Sequence, residues 1–229
     1  KKIKMKFQLT REMCRLVIFQ RNEILTSLQK KIRKLFGRLL FTQFFSYFNN
    51  LSYVGEKYLD ISIAEYTSIK KFLKNNDNNV LSIGAGLGGV ECIILSNHKN
   101  IKIDILERDF ISSKIKYFWN PEEAYNKLDL TRKFLSENSK YNENFKVYNF
   151  EKKDEIEKKY DVIISLYSMD YHYNFNIYKN FMLKNTHEKT IFIFDTIRAG
   201  ELNKFFKDVK IIKTIDKEIH SSCRVICYG

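Results

Sequence analysis

From Met13 to about Phe48 apolar residues recur at helical spacing, through Leu16, Val17, Ile24, Leu28, Ile32, Leu35 and Leu39, with basic residues between them. This predicts one or two helices, broken near Gly37 or earlier. Asn49-Asn50-Leu51-Ser52 reads as a loop. Asp60 or Ser62 is placed to cap a further helix through Tyr66 and Ile69 to Leu73. Beyond residues 75–79 the pattern changes. Short apolar runs at 80–83, 101–106, 145–150, 161–166 and 190–194 predict buried strands. Helical segments are expected at 90–96, 111–118, 121–138, 175–183 and 200–206, and two closing strands at 209–215 and 224–228. Such alternation, ending in a strand pair, predicts an α/β fold with a mostly parallel sheet and an antiparallel hairpin at one edge.

Composition sharpens this picture. The 229 residues are 44% hydrophobic, enough for one ordinary domain and its core. The net charge of +13 is unevenly placed. Residues 1–50 hold 12 Lys/Arg and 2 Asp/Glu, whereas 51–229 hold 28 and 25. The basic character therefore belongs to an N-terminal arm, and the division expected is 1–54 as a helical extension and 55–229 as the main domain. So much apolar surface on the arm should bury against the sheet domain or a second copy, which makes a homodimer through these helices one assembly to expect. A membrane-surface role also suits basic amphipathic helices with aromatics.

Cys14, Cys92, Cys223 and Cys227 show no disulfide or metal-ligand spacing, and the four histidines are scattered singly. Buried thiols in a reducing, cytoplasmic compartment and no metal are the expectation. His98, His187 and His220 lie in polar surroundings and should face solvent, as should Lys152-Lys153 and Lys158-Lys159, which are interleaved with acids. No apolar stretch is long enough for a transmembrane helix.

The chemistry concentrates at Val80-Leu81-Ser82-Ile83-Gly84-Ala85-Gly86-Leu87-Gly88-Gly89. Glycines directly after a buried strand let the chain turn sharply and approach a ligand closely, and the following helix offers N–H groups to an anion. Glu107 ends the next strand, about 23 residues on, where an acid can accept both hydrogen bonds of a ribose diol. Together these point to a nucleoside-containing cofactor. Gly84, Gly86 and Gly89 also satisfy the dinucleotide pattern G-x-G-x-x-G, so a nicotinamide-dependent reductase stays open.

The late start of this motif and the closing strand pair resemble the class I S-adenosylmethionine-dependent methyltransferases over about 55–229. That resemblance implies a Rossmann-like fold with S-adenosylmethionine as cofactor. Gly84, Gly86 and Gly88 would lie against its methionine part, Glu107 on its ribose, Asn149 and Phe150 at its adenine, and Ser165 nearby. Many members of that family have Asp where Asn149 stands here. Ile164-Ser165-Leu166-Tyr167-Ser168-Met169-Asp170-Tyr171-His172-Tyr173, then Tyr178, Phe194-Asp195-Thr196-Ile197-Arg198 and Cys223-Arg224-Val225-Ile226-Cys227, resemble a bacterial group of sugar O-methyltransferases.

Loop 165–173 lies beyond the carboxyl end of the fourth expected strand, where open α/β sheets bind ligands. A sugar hydroxyl is a poor nucleophile, and a base near neutrality such as His172 would help, with Asp170 as a second catalytic candidate. Tyr167, Tyr171, Tyr173, Asp195 and Arg198 are candidates for the acceptor, Tyr53 for a lid contact. Asp195 could equally orient His172 or pair with Arg198. The expected acceptor is a sugar or nucleotide-activated sugar. Nucleic acid is not expected, since no Asn-Pro-Pro-aromatic tetrad follows strand four and the body is near neutral. An RNA methyltransferase using the arm, a small-molecule N-methyltransferase and a catalytically silent module remain alternatives.

Overall fold

The computed structural model describes residues 5–74, 79–112, 124–170, 174–216 and 222–228. Four helices come first: α1 (Arg11–Gln20), α2 (Ser27–Phe36), α3 (Arg38–Phe48) and α4 (Leu51–Ile69). Then follow β1 (Asn79–Ile83), α5 (Gly89–Asn97), β2 (Lys102–Glu107), α6 (Leu128–Asn138), β3 (Phe145–Asn149), β4 (Val162–Ser165), α7 (Lys179–Asn185), β5 (Ile191–Thr196), β6 (Asp208–Asp216) and β7 (Ser222–Tyr228). The strands form one sheet in the order β3-β2-β1-β4-β5-β7-β6. Strands β1 to β5 pair in parallel, while β7 inserts antiparallel between β5 and β6.

The alternation of side chains along each strand divides the core in two. Val80, Ile103, Ile105, Val162, Ile164 and Ile193 face the layer of α1, α4 and α5. Leu81, Ile83, Ile163, Phe192 and Phe194 face the other side, under Phe181 and Met182 of α7. With helices on both faces, the parallel strands are apolar almost throughout, which is why they stand out in the sequence.

Several boundaries differ from expectation. The N-terminal arm holds three helices, not one or two, because Thr26 caps α2 by accepting the Gln29 amide and Gly37 (φ +80°) separates α2 from α3. The expected loop at 49–52 is a helix start. Asn50 accepts the Ser52 amide at 2.9 Å, and α4 then runs unbroken through the expected 54/55 division. Arg11 secures the end of α3 by donating to the Ser46 and Asn49 carbonyls at 2.7 and 2.9 Å. Residues 124–127 are not helical, and Tyr125 bridges instead to Ile111. Met13, Cys14, Leu16, Val17, Ile18 and Phe19 of α1 are buried in the same core as the sheet. Helix α2 buries no residue at all, so the expected burial of the arm applies to α1 only in full.

His98 is half-buried and bonded to the Tyr66 hydroxyl at 3.0 Å, contrary to the solvent-facing expectation. Lys158 likewise does not point freely to solvent. It pairs at 2.8 Å with buried Asp104, which also accepts from the Tyr160 hydroxyl at 2.9 Å. His220 lies outside the described residues.

Candidate functional site

In the sheet order, β1 is flanked by β2 and β4, so the connections after β1 and β4 leave in opposite directions and open a crevice at their carboxyl ends. The Gly-rich turn forms its floor. Gly84 continues the ladder by donating to the Leu106 carbonyl at 3.0 Å. Gly84 and Gly86 have φ of +71° and +61°, conformations that disfavour any side chain. Their missing side chains also matter for space. A Cβ on Gly84 would lie 2.0 Å from Ser168 Oγ, and one on Gly86 2.6 Å from Gln20 Oε1. The Gly86 carbonyl accepts from Thr131 Oγ1 at 2.8 Å and Asn126 Nδ2 at 3.2 Å, which holds the turn rigidly. Gly88 follows over the Leu135 side chain. At the start of α5 the Gly89 amide donates to the buried Tyr58 hydroxyl at 2.9 Å, so this N–H is taken up by the protein and is not on offer to an anion as the sequence suggested.

Glu107 ends β2 and folds back onto this turn. Its Oε2 accepts the Gly86 amide at 2.9 Å and its Oε1 the Arg108 amide at 2.8 Å. Burial pushes its carboxyl up to about 7, against the pull of those two N–H groups and of the Arg108 guanidinium. A carboxylate poised there can exchange its backbone partners for a pair of hydroxyls. Asn149 stands beside Glu107 in the register of β2 and β3, and its Oδ1 accepts the Glu151 amide at 3.0 Å. Phe150 is buried, edge-on to Tyr178, with the Arg108 guanidinium 4.8 Å from its ring centre.

The loop after β4 is held from below. Ser165 is buried. Its hydroxyl donates to the Ile83 carbonyl at 2.8 Å and accepts the Met169 amide at 2.9 Å, so it ties β4 to β1. Tyr167 and Asp170 both adopt positive φ, +61° and +58°. Asp170 is 2% exposed, and both oxygens of its carboxylate are engaged, by Thr196 Oγ1 at 2.5 Å and by the Phe175 amide and Arg198 at 3.3 Å. Its carboxylate thus ties the loop after β4 to β5 and to the turn that follows the loop. Asp195 is fully buried against Arg224 and accepts the Tyr167 amide at 3.2 Å, so it does not pair with Arg198. Arg198 pairs with Asp170 instead. Tyr53 is an exposed residue on the first turn of α4, with Lys57 over its ring. Tyr171, His172 and Tyr173 lie outside the described residues.

The structure adds residues that sequence reasoning missed. A small cavity beside the turn is lined by Arg21, Ser82, Gly84, Ala85, Val90, Glu91 and Leu166. Arg21, just after α1, reaches it from the arm, paired with Glu65 at 2.7 and 3.2 Å and lying 5.4 Å from the centre of the Tyr167 ring. Glu91 accepts from Ser82 Oγ at 2.6 Å, and burial raises its carboxyl above the usual range. Nothing in the local sequence of Arg21 marks it, because its partners lie on α4 and in the loop after β4. Among the described residues no group of three His, Cys, Asp or Glu is placed to hold a metal ion.

No protein-family model matches the sequence, and no curated protein does. Solved structures are similar in three dimensions. One titled "putative O-methyltransferase", from Klebsiella pneumoniae, is 11% identical with a TM-score of 0.51, covering 73% of this chain and 80% of that one. Another with that title, from Nostoc punctiforme, is 7% identical with a TM-score of 0.51, covering 76% of this chain and 61% of that one. A precorrin-6y C5,15-methyltransferase from Geobacter metallireducens is 15% identical with a TM-score of 0.47, covering 74% and 87%. The chain has the Rossmann-like fold of class I methyltransferases.

Proposed function

We propose that the protein is an S-adenosylmethionine-dependent methyltransferase that methylates oxygen on a small polar acceptor, a sugar or sugar derivative. The observation that carries the reading is Glu107, which closes on the Gly86 amide at the mouth of the crevice. In this reading the ribose hydroxyls replace that amide and bind both carboxylate oxygens, two charge-assisted hydrogen bonds. Gly84–Gly88 would hold the methionine part, Arg21 would meet its carboxylate, and Asn149 and Phe150 would border the adenine. The antiparallel β7 between β5 and β6 weighs against a nicotinamide enzyme, since the dinucleotide fold orders its strands 3-2-1-4-5-6.

When bound, the cofactor supplies an electrophilic methyl group on a sulfonium. The protein's part is to align an acceptor oxygen behind that carbon and to exclude water. Asp170 and Asp195 serve by fixing the shape of loop 166–170. Tyr167 and Arg198, and by sequence position Tyr171 and Tyr173, are the residues we assign to the acceptor; His172 would take the hydroxyl proton as the acceptor oxygen displaces the sulfur from the methyl carbon, leaving the cofactor as a neutral thioether. Residues 1–54 act as a cover that delivers Gln20 and Arg21 to the crevice. Transfer of label from S-adenosylmethionine by the purified protein, screened across nucleotide-activated sugars, free glycans and RNA, tests the reading. Label on a sugar oxygen is expected. Label on RNA alone, or tight NADH binding with none for S-adenosylmethionine, overturns it.

A further inference from the structure

Nine of the thirteen exposed large apolar side chains among the described residues lie within 28–53. On α2 they form one stripe, Leu28, Ile32, Leu35 and Phe36, at the spacing of a single helix face. Leu35 is 79% exposed. On α3 the outward stripe is Leu40, Phe44, Tyr47 and Phe48, while Phe41, Thr42 and Ser46 point inward to the core. Phe48 is 84% exposed. Soluble surfaces scatter such side chains singly, and two successive helices carrying them on one stripe each require a partner.

Charge selects the partner. Between Glu23 and Glu56 the chain carries five basic residues and no acid. Arg33 bonds to Asn22, and Arg38 donates to the Phe19 carbonyl, so both lean on the protein. Lys30, Lys31 and Lys34 are exposed; in helical projection Lys31 borders the α2 stripe, and Lys30 and Lys34 form the opposite, polar face of the helix. A second copy would bring three exposed lysines of each chain together with no acid on these helices to pair them. Nucleic acid would leave the aliphatic Leu28, Ile32, Leu35 and Leu40 without a role. An anionic phospholipid surface satisfies both properties, taking the apolar stripe at the acyl boundary and the lysines at the headgroups.

We infer that α2 and the outer face of α3 dock the protein on an anionic membrane surface. No described helix is long and apolar enough to cross a membrane, so the attachment is interfacial. The test is co-flotation of the full chain with phosphatidylcholine vesicles, with and without phosphatidylglycerol. Strong binding to the anionic vesicles and little to the neutral ones is expected, weakening as salt rises. Lys30→Gln, Lys31→Gln and Lys34→Gln combined should weaken it roughly 100-fold, at about fivefold per charge. Leu35→Glu with Phe44→Glu should abolish it while leaving thermal unfolding and adenosine binding unchanged, since both side chains are already exposed. Equal binding to both vesicles, or none, overturns the inference. So does a stable dimer that Leu35→Glu with Phe44→Glu dissociates, or steeply salt-dependent RNA binding, if either occurs without vesicle binding.

Discussion

Asp195 and Arg224 face each other across the β5–β7 pair with no solvent on either side. Arg224 Nε and Nη2 donate to the two carboxylate oxygens at 2.7 and 2.9 Å, and the remaining Nη1 donates to Ser68 Oγ at 2.5 Å. This pair sits directly under the turn that follows β4, because Asp195 also accepts the Tyr167 amide. Removing one partner leaves the other charge buried and unmatched. Arg224→Met should therefore cost about 3–5 kcal/mol of stability, with Arg224→Met/Asp195→Leu recovering part of it. Urea unfolding midpoints check this, and a single variant within about 1 kcal/mol of wild type would contradict it.

Glu107 predicts a pH dependence in two opposite senses. Its folded pKa, about 7, lies above the ordinary carboxylate value. The ligand-free protein thus binds an extra proton between roughly pH 4.5 and 7 relative to the unfolded chain, and this residue's contribution to stability rises as pH falls through that window. Ribose hydroxyls need the ionised form, so affinity should fall by up to about tenfold per pH unit below 7. Adenosine, which has the diol and no group titrating near neutrality, is the probe. Glu107→Gln should flatten both profiles, and Glu107→Ala should cost on the order of 2–4 kcal/mol of S-adenosylmethionine affinity by calorimetry. A pH-independent adenosine affinity would remove Glu107 from the ribose.

At Gly86 the expected outcome is loss of binding with the fold kept. Its φ of +61° makes any side chain strained, at about 1–2 kcal/mol. The atom a Cβ would meet is the far end of the flexible Gln20 side chain, which can withdraw. Gly86→Ala should melt slightly lower, and Gly86→Val should lose S-adenosylmethionine binding while remaining folded by circular dichroism.

How much of this was legible depends on the range of the interaction. Continuous apolar runs such as Val162–Ile164 betray a strand buried on both faces, and the Gly turn with Glu107 is a local pattern. The reach of α4 was hidden. Asn50 resembles a loop residue and is a cap, and Ser62 and Glu65 resemble surface positions yet are buried by distant partners. For Asp195 the sequence offers His172, the acceptor or its near neighbour Arg198 as partner. The actual partner, Arg224, comes from β7, whose insertion beside β5 is a matter of strand order that periodicity does not encode.

His172→Ala should lower turnover by roughly 10²–10⁴ with cofactor affinity unchanged, the range for loss of a general base. The basis is its sequence position, between Asp170 and Asn174, which are both anchored beyond the end of β4. Single-turnover label transfer to the acceptor found in the screen reads the chemical step directly. An unaltered rate there would assign His172 a structural part.

Arg21 separates recognition of the methionine part from recognition of the nucleoside. It lines the cavity beside Gly84 and Ala85, and Glu65 holds its guanidinium in a two-point pair. That pair fixes the plane of the fork and leaves further N–H donors for a carboxylate. Arg21→Met alone would strand the buried Glu65, so the informative variant is Arg21→Met with Glu65→Gln, which removes both charges together. Adenosine carries no carboxylate and should bind this variant as it binds wild type. S-adenosylmethionine should lose about 10–100-fold, the value of one charge-assisted hydrogen bond or somewhat more. An equal loss for both ligands would mean that the pair merely supports the crevice wall. An equal absence of loss would move the methionine carboxylate elsewhere, with the Gly84–Gly88 amides as its remaining donors.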